Sequence, residues 1–233
     1  MINLLTSPIF YILLTIGLYS LFHTLYKKVK FVLLHPLVLT GVLLILYIFL
    51  ISSITNKEVI DHLKEYNTSV QIVNIMLGPL TVVLALPIYQ NWKTLKKHWL
   101  PVLITTIVGS IVSLLSVYLL GKLFKLDYTL IISLLPKSVT TAIAQEISVN
   151  IGGIPEITIA AVIFTGLLGA LLGPTLTKLF RFKDSVSSGM AFGAASHAVG
   201  TSKAMEISKE VGAISSIAIA TSGILTMIIT LFI

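Results

Sequence analysis

The sequence predicts an all-α integral membrane protein with about eight hydrophobic segments. Of its 233 residues, 56% are hydrophobic and only 11% are charged, whereas a soluble domain carries about a quarter charged residues. The mean hydropathy is +1.01, and windows of the roughly 20 apolar residues that a helix needs to cross a bilayer recur along the whole chain. Too little polar surface is available to cover a water-facing globule, so we expect one multi-pass domain.

The charge distribution and the cysteine count exclude several function classes. The formal net charge is +7, but the basic residues form short clusters between apolar runs, as in the loops of membrane proteins. We therefore expect no nucleic-acid partner. The chain contains no cysteine, which excludes disulfides and thiolate metal sites. We predict no metal ion and no cofactor, and the absence of catalytic motifs argues against an enzyme.

The hydrophobic segments divide the chain into three regions. They cover residues 4–26, 31–54, 70–90, 101–124, 128–150, 156–180, 185–209 and 211–233. Residues 1–54 hold two peripheral spans, and the first stays as a membrane helix because it lacks a signal-peptide start and cleavage site. In the polar region 55–69, Asn56 followed by apolar residues at helical spacing predicts a capped amphipathic helix on the membrane surface. Residues 70–233 form the predicted core.

Three of the core segments contain residues that break helices. The breaks are predicted at Gly78-Pro79, at Pro136 and at Gly200. Broken membrane helices persist only where protein or a water-filled cavity satisfies the freed backbone groups. Such broken segments are typical of secondary transporters, in which half-helix N-termini face a central anion site. Their arrangement along the chain permits an inverted repeat.

Segment 128–150 is compatible with two topologies, a full crossing or a re-entrant hairpin. If the lysine clusters at 27–30 and 93–97 are cytoplasmic, full crossings place Arg181 and Lys183 outside. A re-entrant hairpin returns both residues to the cytoplasmic side, as the positive-inside rule prefers. The segment is long enough for either geometry, so the sequence leaves the choice open.

The first polar constellation surrounds Lys137, which follows Pro136 inside an apolar run. Pro136 ends one half-helix, and Ser138 or Thr140 can cap the next one. A carboxylate there would meet an ammonium, hydroxyl donors that include Thr141, and a helix N-terminus. Alternatively, Lys137 snorkels to an interface while the threonines bond back to their own helix. Because ionisable residues inside membrane segments are functional by default, we predict a substrate site.

The second constellation contains Ser196, His197 and Thr201 around Gly200. Gly200 permits a break, and Thr201 can cap a new half-helix. His197 can bind substrate or carry a coupled proton; equally, it can be a buried histidine that bonds a freed backbone carbonyl.

The third broken segment, 70–90, adds one hydroxyl to the predicted site, although a simple proline kink explains its Gly78-Pro79 sequence nearly as well.

Three long motifs occur in order along the chain. They are LGPLTVVLALPIY at 77–89, LPKSVTTAIA at 135–144 followed by IGGI at 151–154, and GMAFGAASHAVGTSKA at 189–204. Together they resemble the LrgB/CidB family of antiholin-like membrane proteins over essentially the whole chain. The resemblance implies a holin- or antiholin-like protein that acts with a smaller LrgA/CidA-type partner on murein hydrolases and autolysis. Similar plastid proteins exchange glycolate for glycerate, and bacterial relatives are linked to pyruvate or related acids.

The residues and the resemblance together predict a secondary transporter of small monocarboxylates such as glycolate, pyruvate or lactate. We expect a homodimer in the lipid of the bacterial cytoplasmic membrane, with export of acidic metabolites as the link to autolysis. The residues predicted to bind the small anionic substrate are Lys137, Ser138, Thr140 and Thr141, opposite Ser196, His197 and Thr201. The alternative is an antiholin-like regulator that acts by assembly with an LrgA/CidA-type partner.

Overall fold

The computed structural model describes residues 2–29, 34–76, 79, 82–83 and 85–233. These residues form helices and connecting turns, with no β-strand in the described ranges, which confirms the all-α fold class. The helices are α1 (Ile2–Leu5), α2 (Pro8–Val29), α3 (Pro36–Thr55), α4 (Val59–Ile75), α5 (Ala85–Gln90), α6 (Trp92–Lys97), α7 (Trp99–Leu123), α8 (Tyr128–Leu134), α9 (Thr141–Asn150), α10 (Pro155–Leu179), α11 (Ser185–Ile207) and α12 (Lys209–Thr230). A 3₁₀ turn, Leu135–Ser138, separates α8 from α9.

Five helices in the described part of the chain are long and apolar enough to cross a membrane. They are α2, α3, α7, α10 and α12. Large apolar side chains such as Leu13, Phe49 and Leu119 are more than half exposed on them, and such surfaces require lipid or another apolar neighbour. The protein is therefore a multi-pass membrane protein. The three remaining predicted segments are those with predicted interruptions, and they hold shorter or more polar helices where they are described.

The N-terminal unit, Met1–Pro79, packs α2, α3 and α4 against one another. Asn56 does not cap the following helix as the sequence predicted. It ends α3 in the left-handed conformation with φ 55°, which asparagine tolerates and which suits a helix C-terminus. The helix α4 then continues without interruption to Ile75, so no helix boundary separates the polar stretch 55–69 from the residues that follow.

The polar stretch contributes a buried hydrogen-bond network. His62 is fully buried, its Nε2 lies 2.8 Å from the Thr55 hydroxyl, and its Nδ1 lies 3.1 Å from the Glu65 carboxylate. Tyr11 of α2, which is also fully buried, places its hydroxyl 3.5 Å from the same Nδ1. Because buried polar groups are stable only when hydrogen-bonded, this network ties α4 to both preceding helices.

The C-terminal unit, Leu80–Ile233, is built around the packing of α11 on α12, which α7 and α10 flank. More than half of the apolar window of α12 is buried, a larger share than in the other four spanning helices. Gly193 of α11 allows close approach, because a Cβ there would overlap the carbonyl oxygen of Ser215 and lie 2.6 Å from the Ala218 Cβ. Small residues let membrane helices pack closely by van der Waals contact.

The Gly193 contact leads to a stability prediction. We expect Gly193→Ala to lower the free energy of unfolding by about 1–3 kcal/mol, because the new methyl group must push α11 away from α12. The measurement is the thermal unfolding midpoint of the protein purified in detergent. Gly109→Ala is the matched control, since its Cβ would meet nothing closer than the Ala194 Cβ at 3.9 Å. Equal midpoints for the two variants would contradict the prediction.

Candidate functional site

The chain folds back on itself between α8 and α10. The Ser133 hydroxyl, near the end of α8, accepts a hydrogen bond from the Ile154 amide at 2.7 Å. The Thr158 hydroxyl of α10 lies 2.7 Å from the Ser133 carbonyl oxygen and 2.7 Å from the Ser148 hydroxyl near the end of α9. The last turns of α8 and α9 therefore both meet the start of α10, so the chain between Ser133 and Ser148 folds back. We call residues 135–140, which join α8 to α9, the hairpin tip.

Backbone geometry at the hairpin tip leaves one helix end uncapped. Pro136 is non-helical at φ −83° and ψ 17°, and Thr140 is extended at φ −65° and ψ 151° directly before α9. Thr140 makes no side-chain cap hydrogen bond, and its hydroxyl is buried without a partner among the described residues. The first amides of a helix have no acceptor within it. The tip thus presents free N–H groups beside an unpaired hydroxyl.

The other predicted residues of the first constellation lie at the same tip. Lys137 is half-buried in the 3₁₀ turn and forms no ion pair or hydrogen bond within the described ranges. Ser138 is buried and accepts a hydrogen bond from the Ser113 hydroxyl of α7 at 3.1 Å. Thr141 is half-buried as the first residue of α9. The structure therefore brings Lys137, Ser138, Thr140 and Thr141 together on one short stretch of backbone.

The second break lies at His197, three residues before the position predicted from the sequence. His197 has φ 41° and ψ −137°, whereas Gly200 is helical. Glycine is needed at position 200 because it leaves room for neighbouring atoms, and not because of its backbone freedom. A Cβ there would overlap the Ser196 side chain and approach the Phe192 carbonyl oxygen to 3.0 Å. The kink at His197 creates this contact within α11, which periodicity alone could not indicate.

The side chains of the second constellation have separate neighbours. The buried His197 donates from Nε2 to the Val162 carbonyl oxygen of α10 at 2.8 Å. This is the second of the two roles considered from the sequence, a buried histidine that bonds a backbone carbonyl. Thr201 pairs with the Ser215 hydroxyl of α12 at 2.5 Å. Ser196 packs against Gly169 and lines a mainly apolar groove of about 360 Å³ between α10 and α11. Neither Lys137 nor any of Ser138, Thr140 and Thr141 is among the described residues that line this groove.

The two interruptions nevertheless meet the same point on α10. The Val162 side chain belongs to one buried cluster with Val139 of the hairpin tip and Ile143 of α9, while its carbonyl oxygen accepts the His197 hydrogen bond. Both breaks therefore lie at the same level along a continuous spanning helix. Of the third predicted break, Gly78 lies outside the described residues, and only Pro79 is described.

Buried or half-buried hydroxyls on α7 and α12 were not predicted from the sequence. On α7, Ser110 and Ser113 face the core, and on α12 Ser222 and Thr226 do so. The Thr226 hydroxyl donates to Ser110 at 3.4 Å. The spacing of these residues could have indicated them, because hydroxyl residues three or four positions apart share one face of an apolar helix.

Comparison with known proteins identifies the family. Residues 15–233 match the LrgB-like family. The chain belongs to this family. The resemblance found in its three motifs is thereby confirmed.

Two similar proteins from Bacillus species share one name. An antiholin-like protein LrgB of Bacillus mycoides (strain KBAB4) and one of Bacillus cereus (strain B4264) are each 36% identical to this LrgB-like chain over 224 residues, covering 96% of this chain and 94% of the relative. An uncharacterized protein YxaC of Bacillus subtilis (strain 168) is 34% identical over 216 residues, covering 92% and 90%. No solved structure matches.

Proposed function

We propose that this LrgB-like protein transports small monocarboxylates across the bacterial cytoplasmic membrane. The observation that carries the proposal is the hairpin tip. There the uncapped start of α9 meets the buried Thr140 hydroxyl, which has no partner among the residues that the structure describes, beside Lys137. A membrane interior leaves such groups unpaired only at a cost, which a bound anion would offset. Transport linked to autolysis through export of acidic metabolites is part of this proposal.

The chemistry of the tip suits a carboxylate. A helix N-terminus carries about half a positive charge and offers free N–H donors. Lys137 adds a full positive charge, and Thr140 adds a hydroxyl donor on the same turn of chain. The carboxylate would be held by several donors at once.

A re-entrant position of the α8–α9 hairpin supports the same function. With the hairpin entering and leaving on one side, α7 and α10 both cross the membrane, and Arg181 and Lys183 return to the side of the 93–97 cluster. This arrangement satisfies the positive-inside rule. It also places an irregular backbone inside protein at membrane depth, which is where secondary transporters bind their substrates.

An antiholin-like role is the second candidate function. It is favoured by the name, antiholin-like protein LrgB, of the two Bacillus relatives that are 36% identical to this chain. In that role the protein would act by assembly with an LrgA/CidA-type membrane partner, and the broken helices would serve packing rather than substrate binding.

Uptake by purified protein in liposomes separates the two functions. We expect saturable uptake of labelled glycolate, pyruvate or lactate, well above the rate in protein-free liposomes. A dye trapped in the same liposomes should be retained, because a carrier opens no continuous pore. Dye leakage without saturable uptake of any of the three acids would contradict transport and favour the antiholin-like role.

A further inference from the structure

We infer that Ser222 of α12 forms the wall of the substrate site opposite Thr140 and selects acids that carry an oxygen on carbon 2. The inference rests on the proposed transport function and adds to it a residue that determines specificity. Ser222 is 4% exposed, and its hydroxyl has no hydrogen-bond partner among the described residues. It therefore shares with Thr140 the condition of a buried hydroxyl left unpaired.

The unpaired state of Ser222 is unusual for its own helix. Ser216 donates to the Gly212 carbonyl at 2.9 Å, and Thr230 donates to the Thr226 carbonyl at 2.9 Å. Both use the carbonyl four residues earlier, which is the common way to satisfy a hydroxyl in an apolar helix. Ser222 has the same local option and does not use it. Its hydroxyl is therefore available to a group from outside α12.

The residue next to Ser222 along α12 contacts α9 close to the hairpin tip. A Cβ on Gly223, the next residue, would lie 2.6 Å from the Cδ1 of Ile143. Ile143 belongs to the first turn of α9, immediately after Thr140 and Thr141. We therefore place Ser222 near the uncapped helix end, so that the two buried hydroxyls without a partner among the described residues of the C-terminal unit, those of Thr140 and Ser222, lie in one neighbourhood.

Helix α7 closes the third side of this neighbourhood. Ser113 holds the hairpin tip through Ser138 at 3.1 Å, and Ser110, one turn earlier, accepts from Thr226 of α12 at 3.4 Å. Thr226 lies one helical turn beyond Ser222. These paired hydroxyls hold α7, the tip and α12 together and so position the site. The hydroxyls of Thr140 and Ser222 remain able to form hydrogen bonds within it.

The chemistry of a serine hydroxyl defines what Ser222 would recognise. With the carboxylate held at the α9 N-terminus and Lys137, the rest of a short acid extends away from the tip. A hydroxyl can accept a hydrogen bond from a 2-hydroxyl group or donate one to a 2-oxo oxygen. Acetate offers neither group. Ser222 would therefore favour glycolate, lactate and pyruvate over acetate, because a site built to bond a polar substituent discriminates strongly against its absence.

The test is the uptake of glycolate and of acetate by Ser222→Ala in proteoliposomes. We expect wild-type protein to prefer glycolate, and Ser222→Ala to weaken the apparent affinity for glycolate about tenfold while leaving that for acetate unchanged. Ser216→Ala is the matched control on the same helix and should keep the wild-type preference, since its hydroxyl bonds only its own helix.

The other outcomes separate this inference from the proposed function. An unchanged glycolate-to-acetate ratio in Ser222→Ala, or an equal loss for both acids, would overturn the role of Ser222 and leave transport standing. A wild-type protein that transports acetate as well as glycolate would do the same. Saturable uptake of none of the acids by wild-type protein would overturn transport itself, and the inference with it.

Discussion

Lys137→Ala is expected to reduce the saturable uptake of glycolate and pyruvate to the background of protein-free liposomes. Lys137 is half-buried, it has no ion pair or hydrogen bond within the described part of the chain, and it adjoins the uncapped start of α9. An ammonium that contacts a carboxylate in a partly desolvated site contributes about 2–5 kcal/mol. Its loss should lower transport at low substrate concentration by about 30-fold or more.

The control for this prediction is Lys183→Ala, which removes the same charge from the exposed turn after α10. It should transport at close to the wild-type rate. Both variants should elute as monodisperse protein with wild-type unfolding midpoints, because neither lysine has a partner within the described residues. Wild-type flux in Lys137→Ala would remove this residue from the site and would favour the alternative that it snorkels to an interface.

Replacing His197 by alanine is expected to destabilise the protein more than replacing it by glycine. At φ 41° and ψ −137°, a residue with a Cβ is strained by about 1–3 kcal/mol, and glycine is not. Both variants lose the 2.8 Å hydrogen bond to Val162 and leave a similar hole. The glycine variant should therefore have the higher unfolding midpoint, a reversal of the usual order within helices.

Ala198→Gly provides the matched comparison one residue later. Ala198 is exposed and helical, so glycine there should lower the free energy of unfolding by about 1 kcal/mol. The measurement in each case is the thermal midpoint in detergent. If His197→Gly is no more stable than His197→Ala, the break does not lie at His197.

The first constellation was predictable because its geometry is local. A proline inside an apolar run removes a helix donor at a known position, so Pro136, Lys137, Ser138 and Thr140 were placed at one break from the sequence alone. The second constellation was less predictable. The break lies at His197 and not at Gly200, because the hydrogen bond from His197 of α11 to Val162 of α10 holds the strained backbone there. Gly200 instead permits the close packing that results.

The amino-acid sequence by itself determined the all-α membrane fold, the LrgB-like family and the residues at which segment 128–150 is interrupted. Composition, hydrophobic run length and proline position are properties of single segments, which suffice for those conclusions. Only the tertiary structure decided that the chain folds back so that Ser133 meets Ile154, that Ser113 bonds Ser138 of the hairpin tip, and that Gly223 of α12 faces Ile143 of α9. Those relations join residues that are distant along the chain, so they depend on how helices pack and not on the periodicity of any one helix.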